Sequence, residues 1–209
     1  RSRQQAASSP LPREIDLAGY AEGPREECGI VGIYAPGEDV ATLTYFALFA
    51  LQHRGQESAG IAVSDGRRLM VQKDMGLVNQ VFNDTGLAAL QGDLAVGHCR
   101  YSTTGASSWV NAQPMYRETP TGGGLVLGHN GNLVNTAELA RLLDEPPRND
   151  SELMAALLAR DVDVSLDEAI VRSKRRPSAD VNESGMRVHA SGFVQFNERC
   201  VDAIGWECH

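Results

Sequence analysis

Short runs of small and β-branched residues, each closed by a Gly, Pro, Asn or Asp turn, constrain this chain more than any other feature. Residues 28–35, 60–64, 67–73, 94–101 and 125–131 are such runs, and each reads as a strand. Ser64-Asp65-Gly66 is a hairpin turn between the second and third, and turns also fall at Pro36–Asp39 and Thr119–Gly124. Other segments lose the period of two. Residues 40–52 are apolar nearly all round, which predicts a buried helix. Gly76 to Phe82 reads as a loop, followed by a short helix at Gly86 to Gln91. A helix is expected over 137–143, with Asn135 as N-cap and Glu138 three residues on. Another spans about 151–160 behind Asp150, a good capping residue. Strands, then helices, then more strands indicate an α+β sandwich carrying helices, not a βαβ repeat.

Within this pattern Cys28 stands where a polar, aperiodic segment gives way to the first strand. Residues 1–25 are rich in Ser, Gln, Arg, Pro and Gly and read as loosely held. A thiol at such a junction, once made the first residue of a processed chain, has its own α-amine within reach as a base. The alternative is an inert core thiol, the common state of a cysteine. The other cysteines, Cys99, Cys200 and Cys208, form no CxxC pair, so neither a disulfide scaffold nor a metal finger is expected. A net charge of −8 and a pI near 5.1 argue against nucleic acid as partner. No apolar run reaches the length of a membrane span, and the N-terminal residues lack a secretory apolar core.

Four further motifs follow ECGIVGI at 27–33: QHRGQESAGIAV at 52–63, GHCRYSTTG at 97–105, GHNGNLVN at 128–135 and NDSE at 149–152. In this order they resemble the glutaminase domain of the N-terminal-nucleophile (class II) glutamine amidotransferases, and within these the amidophosphoribosyltransferase family. The resemblance covers roughly residues 26–160. It implies a four-layer αββα Ntn-hydrolase sandwich, incomplete at its C-terminal end, with glutamine as substrate. It implies that Cys28 is the nucleophile after removal of residues 1–27, its freed α-amine being the base. Asn130 and Gly131 would form the oxyanion hole, Arg100 would grip the substrate α-carboxylate, and Asp150 would hold the α-ammonium. Tyr101 and Thr103 lie in the loop, 101–111, that closes over glutamine, while Arg54 and Gly55 support the nucleophile. His53, His98 and His129 are given no catalytic part, and Cys99, beside Arg100 on an alternating strand, is expected to face the opposite side.

The same resemblance sets what this chain is expected to lack. Full-length relatives add a phosphoribosyltransferase domain that uses magnesium and often carries a 4Fe–4S cluster, and they form homo-oligomers, tetramers among them. No cofactor or metal is expected on this chain, nor nucleic acid or membrane as partner, and the cytoplasm is the expected compartment. The expected organisation is a propeptide at 1–27, the glutaminase domain at 28–169, and an aberrant or disordered tail at 170–209, polar and aperiodic, without strands. Two alternatives stay open: a non-catalytic truncated fragment, or the glutaminase domain of a class II enzyme making glucosamine phosphate, asparagine or glutamate. The 27 residues ahead of Cys28 favour the amidophosphoribosyltransferase branch.

Overall fold

The computed structural model describes residues 28–101, 107–133, 135–161, 166–175, 188–189, 191–197 and 200–207. Numbered in chain order, β1 (Gly29–Tyr34) leads into α1 (Val40–Ala50), then the hairpin β2 (Ser58–Ser64) and β3 (Leu69–Met75). Two short helices, α2 (Val78–Val81) and α3 (Asp84–Ala89), precede β4 (Leu94–Arg100). These strands form one antiparallel sheet in the order β1-β4-β2-β3. The second half gives β5 (Met115–Glu118), β6 (Gly124–His129), β7 (Asn132–Leu133), α4 (Thr136–Ala140), α5 (Asp150–Asp161) and α6 (Leu166–Arg175). Finally β8 (Val188–His189), β9 (Ser191–Asn197) and β10 (Cys200–Glu207) extend the chain, giving a second sheet in the order β10-β9-β6-β5.

Alternation along the strands builds four layers from these parts. Ala59, Ile61 and Val63 of β2 and Ala95 and Cys99 of β4 face outward against Val40, Ala41 and Leu48 of α1 and Val78 of α2. Their neighbours Ala62, Leu94 and Val96 point the other way and meet Val126 of β6, so a thin apolar layer joins the two sheets. Leu125 and Leu127, flanking Val126, face the far side and pack with Leu153, Met154, Leu157 and Leu158 of α5 and with Leu166, Ala169 and Ile170 of α6. The result is the αββα sandwich implied by the motifs.

Three expectations change. The helix expected to be buried at 40–52 ends at Ala50, with a 3-10 turn at Gln52–Arg54, and it is buried on one face only. As an outermost layer it has one sheet to cover, which leaves Phe46 62% and Phe49 53% exposed. The loop expected at 76–82 contains α2, whose first amide, Val78 N–H, donates to Gln52 Oε1 at 2.6 Å. The tail expected to lack regular structure continues α6 to Arg175 and pairs β9 antiparallel with β6 and β10 with β9, the last with two register irregularities. These strands lie beyond the polar stretch and carry apolar residues of their own, Phe193, Val194 and Phe196 in β9 and Val201, Ile204 and Trp206 in β10. The expected propeptide, residues 1–27, lies outside the described residues.

His98 lies in the layer between the sheets, fully buried, with Nε2 3.3 Å from the His129 carbonyl oxygen. Burial drives its pKa from an ordinary 6.5 down to about 3, so the fold holds the ring neutral. The unfolded chain therefore takes up the proton first. This destabilisation is absent above pH about 6.5 and grows as pH falls toward the folded-state pKa, by about 1.4 kcal/mol per pH unit. Thermal melts should show Tm falling between pH 7 and 5.5, with a shallower slope in His98→Gln. Equal slopes in the two proteins would contradict this account.

Candidate active site

Cys28 immediately precedes the edge strand β1, and two donors from distant parts of the chain converge on its carbonyl oxygen. Asn130 Nδ2 donates to it at 2.9 Å from the turn behind β6, and Arg54 Nε donates at 3.4 Å from the 3-10 turn behind α1. The thiol meets the backbone of Tyr101 twice, donating to its carbonyl and accepting from its N–H, both at 3.4 Å. Burial pushes the Cys28 pKa up, and the Tyr101 backbone bond and the Arg100 charge oppose that shift. Gly131 follows Asn130 with φ of 151°, a conformation that a residue with a Cβ would adopt only under strain. Asn130 thus sets an amide side chain against the Cys28 backbone, and Gly131 follows it in the chain with its backbone N–H; groups of these two kinds can hold a negatively charged oxygen.

Arg100 ends β4 on the inner face, 8% exposed, because its strand alternates. Its Nη1 donates to Glu57 Oε1, an ion pair that orients one arm of the guanidinium. Sequence reasoning passed over Glu57, which follows the QHRGQ run by one position and has no periodic signature. Backbone bonds reinforce the pair, Glu57 N–H donating to Arg100 O at 3.0 Å. Gly55 is required here on space alone: a Cβ would lie 2.5 Å from the Cys99 carbonyl oxygen and 2.7 Å from the Arg100 carbonyl carbon. Cys99 itself faces α1, its thiol donating to Leu51 O at 3.5 Å, and burial pushes its pKa to about 11. It is a core thiol.

Asp150 is the first residue of α5, not its cap. Asn149 takes that role, accepting from Glu152 N–H at 2.7 Å. Asp150 instead reaches across to β7, where its Oδ2 accepts from Leu133 N–H at 3.1 Å, and it stands 4.0 Å from His129 Nδ1. Burial lowers the pKa of His129, with the Asp150 charge opposing, so the ring is neutral near pH 7. Asn130 and Asp150 each adjoin one member of a buried hydrogen-bonded pair, His129 Nδ1 and Ser151 Oγ at 3.0 Å. Cys28, Arg54, Tyr101 and Asn130 are thus in direct contact, Arg100 lies within electrostatic reach of the sulfur, and Asp150 joins through His129 and β7. Thr103 lies outside the described residues. Among the described residues, no group of three or more His, Cys, Asp or Glu is placed to hold a metal ion, and no helix is long and apolar enough to cross a membrane.

Known proteins resemble this chain in sequence and in fold. No protein-family model matches the chain. The chain is 57% identical over 157 residues to the amidophosphoribosyltransferase of Mycobacterium tuberculosis, covering 70% of this chain and 30% of that one. With the amidophosphoribosyltransferase of Synechococcus elongatus the identity is 58% over 156 residues, covering 71% and 31%. A solved structure described as the allosteric regulatory enzyme of purine biosynthesis superposes with a TM-score of 0.68 at 34% identity, covering 81% of this chain and 35% of that one. The chain spans about a third of the length of the curated relatives it matches.

The two described cysteines should differ in reactivity. Peptide-resolved alkylation of the folded chain with iodoacetamide should modify Cys28 slowly at pH 7, faster as pH rises through the alkaline range, and leave Cys99 unmodified. Labelling of Cys99 at the rate of Cys28 would contradict its burial.

Proposed function

The chain belongs to the amidophosphoribosyltransferase family, matching its N-terminal glutamine amidotransferase domain, and from that premise we propose that it hydrolyses the side-chain amide of glutamine to glutamate and ammonia. The observation that carries this reading is Asn130 Nδ2 standing 2.9 Å from the Cys28 carbonyl oxygen, which ties an amide donor to the backbone of the residue that bears the thiol. Cleavage between Glu27 and Cys28 frees an α-amine, which titrates near pH 8 and so has a usable neutral fraction at pH 7. That amine takes the thiol proton as Sγ attacks the substrate amide carbon. Charge passes to the carbonyl oxygen, where Asn130 Nδ2 and the Gly131 N–H receive it. The amine then delivers the proton to the departing nitrogen, the C–N bond breaks, and ammonia leaves a thioester. Water attacks the thioester, returns a proton to sulfur and releases glutamate.

The remaining residues orient the substrate. Arg100, fixed on one arm by Glu57, supplies a planar cation to the α-carboxylate. Asp150 supplies the counter-charge to the α-ammonium, and Tyr101 and Thr103 belong to the closing loop. Fixing both charged ends lets binding energy be spent on aligning the one reacting amide. No metal takes part in these steps. In the intact enzyme the ammonia serves phosphoribosylamine formation from phosphoribosylpyrophosphate, opening purine synthesis in the cytoplasm, within a homo-oligomer.

Processing and catalysis both depend on Cys28 in this reading. Intact-mass measurement should find the chain beginning at Cys28, and Cys28→Ala should abolish both the cleavage and glutamine hydrolysis. A folded, active chain that still begins at Arg1 would refute the amine-base mechanism.

The anchors and the oxyanion donor should separate kinetically. Arg100→Lys keeps a cation against Glu57 but loses the fork, and Asp150→Asn keeps an acceptor for Leu133. Each should weaken glutamine binding about ten- to hundredfold, read as a rise in KM. Asn130→Ala should lower kcat about a hundred- to thousandfold, since its contact with the oxygen strengthens in the transition state. A change confined to KM in Asn130→Ala would remove that residue from the oxyanion site.

A further inference from the structure

Gln113 lies just past the loop at 101–111, between Ala112 and Pro114, and neither the motifs nor the mechanism gives it a part. Its side chain is 6% exposed. The carboxamide binds both backbone groups of His129: Oε1 accepts from His129 N–H at 2.7 Å and Nε2 donates to His129 O at 3.0 Å. This imitates one rung of a sheet ladder, made by a side chain in place of a strand. Nε2 also donates to Ser151 Oγ at 3.2 Å, and that hydroxyl lies 3.0 Å from His129 Nδ1. Gln113 therefore grips the residue before Asn130 and the residue after Asp150 with one amide.

Its own backbone is held with equal care. Lys73 Nζ donates to the carbonyl oxygens on either side, of Ala112 at 2.6 Å and of Pro114 at 3.1 Å. The Gln113 carbonyl presses onto β2 at Gly60, where a Cβ would come within 2.1 Å of its oxygen. A buried amide with this many partners costs much to misplace, because each group left unsatisfied forfeits its hydration.

We propose that Gln113, with Ser151, is a positioning residue for the amide-hydrolysing site: it fixes the end of β6 so that Asn130 meets the developing oxyanion, and ties that turn to the helix bearing Asp150. The inference rests on the reading of function given above, and goes beyond it in naming the residues that set the donor's position. Catalytic donors displaced by about 1 Å can lose on the order of a hundredfold in rate. Gln113 touches no substrate atom, so its effect falls on turnover and not on affinity.

Gln113→Glu is the informative change. A carboxylate keeps the acceptor for His129 N–H but cannot donate to His129 O; once protonated, it can. Steady-state glutaminase assays on the full chain should show kcat at pH 8 reduced about tenfold or more, with KM within about twofold of the wild type. The ratio of mutant to wild-type kcat should recover as pH is lowered from 8 to 6. Ser151→Ala, a milder change, should lower kcat by about threefold or more and add little further loss to Gln113→Glu, since the two act as one unit. If Gln113→Glu fails to fold, the Ser151→Ala value decides, and an unchanged kcat there overturns the proposal. A pH-independent ratio, or additive losses in the double variant, overturns it as well. If the wild-type chain hydrolyses no glutamine, the functional reading fails by itself. The positioning is then read from hydrogen exchange of the His129 amide, which Gln113→Leu should speed at least about tenfold; unchanged protection would refute it.

Discussion

The site exists because one backbone carbonyl, that of Cys28, is reached from the opposite sheet. Cys28 precedes β1, at the edge of the first sheet, whereas Asn130 follows β6, in the interior of the second. No local segment could bring them together. Their contact depends on the apolar layer of Ala62, Leu94, Val96 and Val126, where small and branched side chains let the two sheets approach. Each hydrogen bond across that interface is worth only about 0.5–1.5 kcal/mol net. The sheets must therefore be set by packing first, and the donors then find their acceptor at little further cost. Loosening the layer would blur the site before it unfolded the domain.

Much of this arrangement was legible in the sequence because strands repeat with a period of two. The run Leu94 to Tyr101 assigned Arg100 and Cys99 to opposite faces, and the structure puts one within electrostatic reach of Cys28 and the other against α1. Ordered motifs singled out Arg100, Asn130 and Asp150, which periodicity could not rank. What escaped was of another kind. Glu57 and Gln113 act through bonds to groups 43 and 16 residues away, and such long-range partners leave no local pattern. The capping role expected of Asp150 went to Asn149 because either residue can cap a helix and only the start of α5 decides which. The tail misled for another reason: the stretch that follows α6 is polar and aperiodic, and the apolar Phe193, Val194 and Phe196 of β9 and Val201, Ile204 and Trp206 of β10 come only beyond it.

Charge inside the sandwich follows one rule, that a group is neutral or it is paired. His98 and His129 are held neutral by burial. Lys73, its pKa lowered to about 8 by burial, spends its protons on two carbonyls and lies 5.3 Å from the Trp109 ring centre. Arg100 keeps its charge within reach of the sulfur, and Glu57 accompanies it. A lone guanidinium there would cost several kcal/mol in the empty state, because desolvation is repaid only by a good partner. With the partner built in, the guanidinium is held at the end of β4.

That pairing also bears on how the two positions can change over descent. Replacing Arg100 alone leaves the buried Glu57 carboxylate without its cation, and replacing Glu57 alone removes the carboxylate paired with a buried cation, so each single step passes through a chain handicapped in folding. Lineages can cross only where both codons shift nearly together or where a conservative exchange bridges them. Positions 57 and 100 should consequently drift as a couple, as slowly as the less tolerant of the two allows.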